Sequence, residues 1–554
     1  MSLISVCLSC ILPLEKWISA LALGRRQVAY LLCAVVGCPI VYRILLYPRF
    51  FSPLRHVPGP PLGDPFIGAC APIFAKDANG LPARDWVKKH GPLVRNVGPI
   101  GIERLYLVSP EPLQQILVKE WTEYERPEYL QHILGLVAGH GLLTTTGKDH
   151  RDMRKAMNPA FSLASLAGQL CLYYEHIEGL VRIFDGFIGD AEGGTVLTTY
   201  EWLSKVTLDI IAETAFGYKT ESLRNPNNEL ATAFGNLMNL QNGHNLFKVV
   251  SFMSIPGAPR LVASEWAYRH RRWFARIPFL GPAETLIEST YRIRRIAESI
   301  LQERMREATA TIASDKDKTA RRDLMSILVQ ARQADLEKDS TVYAMSDRAM
   351  VDQVLTFLGA GHETTASGLA WTLWLLATDQ ESQHKLRAEV TPVLAANPRP
   401  DYKTLKDLQW LDCVIMESLR VLPPVPLTVR RAYKTDFLAG HLVPKGTFLH
   451  IPIRVINTWQ AVWGPDAEDF RPSRWLNLPK TYNPAFSFMS FIAGPHGCIG
   501  KTMALMEMKA VLACLIAAFH FEPAYEGQKI SPAAAITMKP TDGMPLRTRR
   551  VRRS

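Results

Sequence analysis

FIAGPHGCIGKTMALMEMKAVLACL, residues 491–515, is a glycine-rich loop that runs into a long apolar segment with helical spacing. At such a junction a cysteine thiolate, here Cys498, gains from backbone N–H groups and from the positive end of the helix dipole. Gly494, Gly497 and Gly500 leave the backbone free to approach a flat ligand closely. These are the requirements of a thiolate bound to iron beneath a macrocycle. Taken alone, Cys498 is read more simply as a buried structural cysteine, so the decision rests on the residues around it. One rival can be set aside. Gly500-Lys501-Thr502 resembles the end of a phosphate-binding loop, GxxxxGK[ST], but the first glycine of that loop would fall on Pro495, and no β-branched run precedes it.

From about residue 85 onward the pattern is mainly helical, at 202–216, 285–306, 346–378 and 405–422, with short extended pieces at 104–108 and 437–449. No internal repeat is present, and the small, polar stretch 308–320 reads as an exposed loop. One large helix-rich domain with small sheets is the expected architecture. In the middle of 346–378 stands Ala360-Gly361-His362-Glu363-Thr364-Thr365. Glycine and adjacent threonines inside a helix loosen its hydrogen-bond ladder and make room for a small ligand or water. A tolerated kink would explain the glycines, whereas the acid–alcohol pair Glu363/Thr364 points to proton delivery. Glu417 and Arg420 are an i, i+3 pair on one helical face. Glu123/Arg126, Glu221/Arg224, Glu303/Arg306 and Glu468/Arg471 share that spacing and read as surface bridges, so context alone singles out Glu417: an apolar helix before it and VLPPVPLTVRR after it.

Ahead of the domain, residues 28–47 (VAYLLCAVVGCPIVYRILLY) carry one charge, Arg43, near their end. As a helix the run would span about 30 Å, the thickness of a bilayer core. Residues 1–24 are apolar but interrupted by Glu15 and Lys16, a weaker insertion, and a density of prolines from Pro58 to Pro65 suggests a stiff hinge. The expected organisation is an apolar, basic segment (1–27), a transmembrane helix (28–47), a proline-rich hinge (48–66), a catalytic domain (67–546) and a basic tail (547–554).

The formal charge of +11 is concentrated at the two ends. Residues 1–56 hold six basic residues and one acid, and residues 547–554 hold five arginines and no acid, which leaves the body close to neutral. That distribution favours an anionic membrane surface and argues against nucleic acid as a partner. Nine cysteines, four of them in or near the apolar N-terminus, suit a reducing compartment, and the Cys7/Cys10 pair lacks the second pair that a zinc site needs.

With these residues in view, the chain resembles the cytochrome P-450 family of heme-thiolate monooxygenases, microsomal fungal members in particular. The family loop F-x-x-G-x-R-x-C-x-G is matched by Phe491, Gly494, Cys498 and Gly500, with His496 in place of the arginine that contacts a heme propionate. The resemblance implies heme b with Cys498 as the axial ligand to iron. It places A/G-G-x-D/E-T-T over the heme, where Thr364 would hydrogen-bond dioxygen or its water and Glu363 would relay protons. His362 falls at the variable position and reads as packing or surface. The family's F-x-P-E-R-F/W segment corresponds to Phe470-Arg471-Pro472-Ser473-Arg474-Trp475, with Ser473 for the usual Glu, so Arg474 would join Glu417 and Arg420 in a structural triad. His150 and Arg154 match a Trp/His and Arg at i, i+4 that face the propionates, and Arg430 is a further propionate candidate.

The resemblance covers the chain from about residue 57 onward. It implies oxidation of a lipophilic small molecule (a terpenoid, sterol, fatty acyl or polyketide of secondary metabolism) with O2 and electrons from an NADPH-cytochrome reductase, since no flavin or dinucleotide fingerprint occurs here. Candidate pocket walls are 129–143, Phe357, Leu358, 427–429 and an entrance at 247–262. The expected placement is a single-pass membrane protein of the endoplasmic reticulum with a cytosolic catalytic domain, in contact with membrane lipid. Two other readings remain: a heme-thiolate isomerase or dehydratase that needs no reductase, against which the intact Glu363/Thr364 pair speaks, and a non-catalytic heme- or sterol-binding membrane protein.

Overall fold

The structure, a computed structural model, describes residues 25–64, 81–240, 257–314 and 345–551, apart from positions 192, 226, 278–279 and 533–535, with isolated residues in the segments between. The helices that frame the site are α1 (Arg25–Val41), α2 (Gly147–Met157), α3 (Leu170–Ile188), α4 (Thr199–Phe216), α5 (Gly281–Ser314), α6 (Asp347–Thr378), α7 (Gln409–Val421) and α8 (Lys501–Ala518). The strands are β1 (Leu93–Val97), β2 (Glu103–Leu107), β3 (Tyr124–Glu125), β4 (Thr195–Thr198), β5 (Thr428–Ala432), β6 (Asp436–Leu438), β7 (His441–Val443), β8 (Phe448–Ile451), β9 (Phe519–Pro523) and β10 (Pro545–Arg550).

Helix α6 is the axis of the domain. Ser346 starts it by accepting a hydrogen bond from the Ala349 N–H at 3.2 Å. Thirty-two residues long and apolar on nearly every face, it must be covered all round. Helices α4, α5, α7 and α8 cover it. The Thr207 hydroxyl of α4 donates to the His362 carbonyl at 3.0 Å, and a Cβ on Gly361 would lie 2.8 Å from Ile211 Cγ1. Gly361 thus lets α4 and α6 approach each other.

The strands form three sheets, in the orders β1-β2-β8-β5-β3, β4-β10-β9 and β6-β7. In the first, β2 and β8 are parallel and the other pairs antiparallel. Pairing of β3 with β5 sets Glu125 opposite Arg431, which leaves Arg126 and Arg430, the residue next to each in the chain, close enough for their charges to interact.

Five expectations change. The 28–47 run is not one α-helix: α1 ends at Val41 and the chain continues as a wider π-helix over Tyr42–Phe51. Pro39 and Pro48 lack the N–H groups that a regular ladder requires. No helix among the described residues is long and apolar enough to cross a membrane, and residues 1–24 with Cys7 and Cys10 lie outside the described residues.

The proline-rich segment is docked, not a free hinge. Leu54 is fully buried, Ser52 Oγ donates to Glu103 Oε1 at 2.7 Å, and the Arg95 N–H donates to the Pro58 carbonyl at 2.8 Å. Residues before a proline and prolines themselves favour extended backbone, which here lies along β1.

The basic tail is in part a strand. Leu546 and Thr548 are fully buried while Arg549 pairs with Glu522 at 2.8 Å and Arg550 with Asp185. Alternation of inward and outward residues puts β10 in the middle of its sheet, so the domain runs on to Arg550 instead of stopping at 546.

Helix α5 continues through Ser314, so the first part of the expected 308–320 loop is helical; 315–320 lie outside the described residues. The single expected helix 405–422 is broken at Leu408, where Glu389 accepts from the N–H groups of Trp410 and Leu411 at 2.8 Å each and starts α7 afresh.

Candidate active site

The loop before α8 folds back on itself. The Cys498 N–H donates to the Phe491 carbonyl and the Gly497 N–H to the Gly494 carbonyl, both at 2.8 Å. Gly494 has φ of 78°, and a Cβ there would lie 2.0 Å from the Leu117 carbonyl oxygen. Its missing side chain therefore serves contact with protein backbone, a reason the sequence did not reveal. Gly500, the residue before α8, leaves open the side next to Cys498 Sγ. Phe491 lies under Lys501 Nζ, which is 5.6 Å from its ring centre.

Cys498 is exposed, yet burial raises its thiol pKa. The two observations agree if its sulfur faces an internal space. Burial is opposed by a hydrogen bond from Gly500 and by the charges of Arg154 and Lys501, each of which favours the thiolate. Arg154 is fixed by donating to the Gly497 carbonyl at 2.5 Å.

Beside the loop lies a buried polar cluster. His496 Nε2 meets Glu125 Oε2 at 3.2 Å, and Arg126 Nη1 meets His496 Nδ1 at 3.3 Å. One tautomer satisfies both: Nε2–H donates to the carboxylate, and Nδ1 accepts from the guanidinium. Burial first, then Arg126, Arg430 and Arg154, push the His496 pKa down to about 2, so the ring is neutral. The His150 ring lies 4.0 Å from that of His496, and its pKa falls to about 3 through burial and His496. Trp121 borders both rings. Burial lowers Arg126 to about 10, and burial with Arg126 lowers Arg430 to about 9. Glu125 also caps α2 by accepting from the Gly147 N–H at 3.0 Å.

So many buried cations with one carboxylate among them are short of negative charge. Among the described residues, His150 Nδ1 and Arg430 Nη2 are buried without a hydrogen-bond partner. A ligand bearing carboxylates would satisfy both deficits. With both ring nitrogens engaged, His496 positions Arg126; it does not offer a free donor of its own. Arg126 was passed over in the sequence because its i, i+3 spacing to Glu123 looked like a surface bridge, whereas it is buried and faces His496.

Between Met350 and Leu373, α6 is buried except at Ala360, Gly361 and Thr364. The Thr364 hydroxyl donates to the Ala360 carbonyl at 2.8 Å. Glu363 points elsewhere, its Oε1 accepting from Tyr200 OH at 2.6 Å and from Thr537 Oγ1 at 3.2 Å. Successive helical residues differ by about 100° in direction, so adjacent side chains cannot share a face. His362 packs against Phe234 and is held to the Leu358 carbonyl. Among the candidate walls, Phe357 packs on Phe161, Leu358 is fully buried and Leu427 is exposed; the 247–262 stretch is described only in part.

Glu417, Arg420 and Arg474 are brought together in the interior. Arg420 binds Glu417 through two N–H···O bonds of 2.7 and 2.8 Å, Arg474 Nε donates to Glu417 Oε1 at 3.2 Å, and Trp475 Nε1 donates to Oε2 at 2.9 Å.

The family model of cytochrome P-450 matches residues 58–546. The chain is 32% identical to cytochrome P-450 monooxygenase 205 of Postia placenta, over 88% of this chain and 90% of that protein. It is 29% identical to cytochrome P-450 monooxygenase sphH of Aspergillus fumigatus (93% and 92% covered) and 28% identical to cytochrome P-450 monooxygenase ALT8 of Alternaria alternata (88% and 87%). The family uses heme with an axial cysteine thiolate on iron, which suits a loop that presents a cysteine beside an excess of cationic donors. With a family model spanning nearly the whole domain and relatives matched almost end to end, this chain belongs to the cytochrome P-450 monooxygenases, which are oxidoreductases.

Proposed function

We propose that the chain oxidises a C–H bond of a lipophilic small molecule in fungal secondary metabolism, a terpenoid, sterol, fatty acyl or polyketide, using O2 and electrons that a separate reductase takes from NADPH. The observation that carries this reading is Cys498: an exposed cysteine on a loop that folds back on itself, beside the buried Arg126 and Arg430, which are short of negative charge. Heme, when bound, supplies the activation of dioxygen.

The chain's own residues do the rest. Cys498 would be the iron ligand; burial raises its thiol pKa, and the Gly500 N–H, Arg154 and Lys501 favour the thiolate against it. Arg126, Arg430 and His150 hold the two propionates, with His496 orienting Arg126. The Thr364 hydroxyl holds a proton on the open stretch of α6, and Glu363, which rests against Tyr200 and Thr537, replaces it once its side chain swings round. Exposed apolar side chains on α1 and the following turn, among them Tyr30, Leu31, Val35, Phe50 and Phe51, support attachment of this end to a membrane, with the catalytic domain cytosolic and the endoplasmic reticulum as location.

The test is isotopic. Supplied with reductase, NADPH and ¹⁸O2, and screened against lipophilic compounds, the enzyme should place one ¹⁸O atom in its product. Product formed without NADPH would favour an isomerase and overturn the reading. The propionate assignment is checked separately. Arg430→Leu and Arg126→Leu should each weaken heme binding about tenfold or more, the worth of a charged hydrogen bond, in a titration of heme into heme-free protein. Unchanged affinity in both would contradict it.

A further inference from the structure

Glu363 is 3% exposed and sits mid-helix, so it has no direct contact with bulk water from which to regain a proton. Its neighbours define the way in. Tyr200, the second residue of α4, is half-buried and donates to Oε1 at 2.6 Å. Thr537 donates to the same oxygen at 3.2 Å. Lys539, two residues further on, is half-buried, bonds the Met238 carbonyl at 2.9 Å and feels the charge of Glu363. Tyr200 therefore touches the buried carboxylate and is itself only half-buried as a residue, while burial and then Glu363 push its phenol pKa up.

We infer that Tyr200 is the residue through which Glu363 is reprotonated. The phenol oxygen accepts a proton from water on its outer side while its own hydroxyl proton moves along the 2.6 Å hydrogen bond to Glu363 Oε1. A carboxylate becomes a carboxylic acid, the outer water gives up one proton and regains one from bulk solvent, and Tyr200 ends as the neutral phenol it began. Thr537 holds the receiving oxygen in place. The inference rests on the monooxygenase reading, in which Glu363 gives up a proton in each cycle. Tyr200 touches neither heme nor substrate here and is a positioning and relay residue. If its hydrogen bond only tied α4 to α6, removing the hydroxyl would alter stability alone.

The test compares wild type and Tyr200→Phe as heme-loaded full-length protein with reductase and NADPH, without added substrate. Loss of the relay should slow NADPH oxidation about tenfold and raise the ratio of rates in H2O and D2O. Guaiacol oxidation driven by hydrogen peroxide, which brings its own protons, should fall by much less. In heme-free protein, the infrared carboxylate stretch should shift on Tyr200→Phe in the wild-type background and not in Glu363→Gln. An unchanged NADPH rate and isotope ratio, or equal losses with NADPH and peroxide, would overturn the inference, as would absence of the infrared shift. A wild type that oxidises no NADPH with reductase would instead overturn the parent reading, and the infrared result would still decide whether Tyr200 acts on Glu363.

Discussion

Glu417→Ala is expected to cost about 3–5 kcal/mol of stability, the usual penalty for removing one partner of a buried ion pair. Glu417 and Arg420 are both fully buried, and Arg474 nearly so. Among the described residues the carboxylate is the only anion that Arg420 meets; it also donates to the carbonyls of Asn457, Ala467 and Asp469 and lies over the Trp463 ring. Arg474 loses less, because Asp466 Oδ2 stays 3.1 Å from it. The Trp475 indole and the Arg471 N–H would also lose their acceptor. A loss of that size is about a fifth or more of the stability of an ordinary domain, so the variant should purify in low yield with little heme. Denaturant unfolding followed by circular dichroism measures it. Glu417→Gln, which keeps shape and one acceptor, should fall between the two proteins. A loss below about 1 kcal/mol, the worth of a surface bridge, would contradict the account.

Gly494→Ala should be nearly as damaging, but locally. A methyl group 2.0 Å from the Leu117 carbonyl has no flexible side chain to push aside, so the backbone of one segment must move. The φ of 78° adds about 1–2 kcal/mol for any residue with a Cβ. Ile492, two residues earlier, already has φ of 58°, so the loop holds strain that its hydrogen bonds must offset. The expected result is a folded protein with near-normal circular dichroism that fails to retain heme. Gly497→Ala is the comparison: its Cβ would meet the Gly494 carbonyl at 3.0 Å without positive φ, and it should retain more heme. Equal heme content in the two variants would show that the close contact with Leu117 does not set the loop.

Some of this was legible in the sequence for physical reasons. Cys498 is legible through the motifs around it, since the cysteine alone reads as structural, and Glu417 because the helix bearing it is too apolar for a surface bridge. The same spacing misled at Arg126, whose burial depends on β3 pairing with β5 some 300 residues later, a contact that local pattern cannot supply. Counting charge hid the alternation of Leu546 and Thr548 between arginines, and so hid a central strand. Proline density signalled a hinge, whereas docking of 48–59 depends on the buried Arg95–Glu103 pair. The divergence of Glu363 from Thr364 could have been read from helical geometry; its partners Tyr200 and Thr537, far away in the chain, could not.

The central claim is that Cys498 thiolate binds the heme iron. The reduced, carbon-monoxide-bound minus reduced difference spectrum of the purified protein tests it most directly. Wild type should show the red-shifted band of a thiolate-ligated heme, and Cys498→Ala should lose that band even when reconstituted with heme. A wild type without the band, or its persistence in Cys498→Ala, would contradict the account.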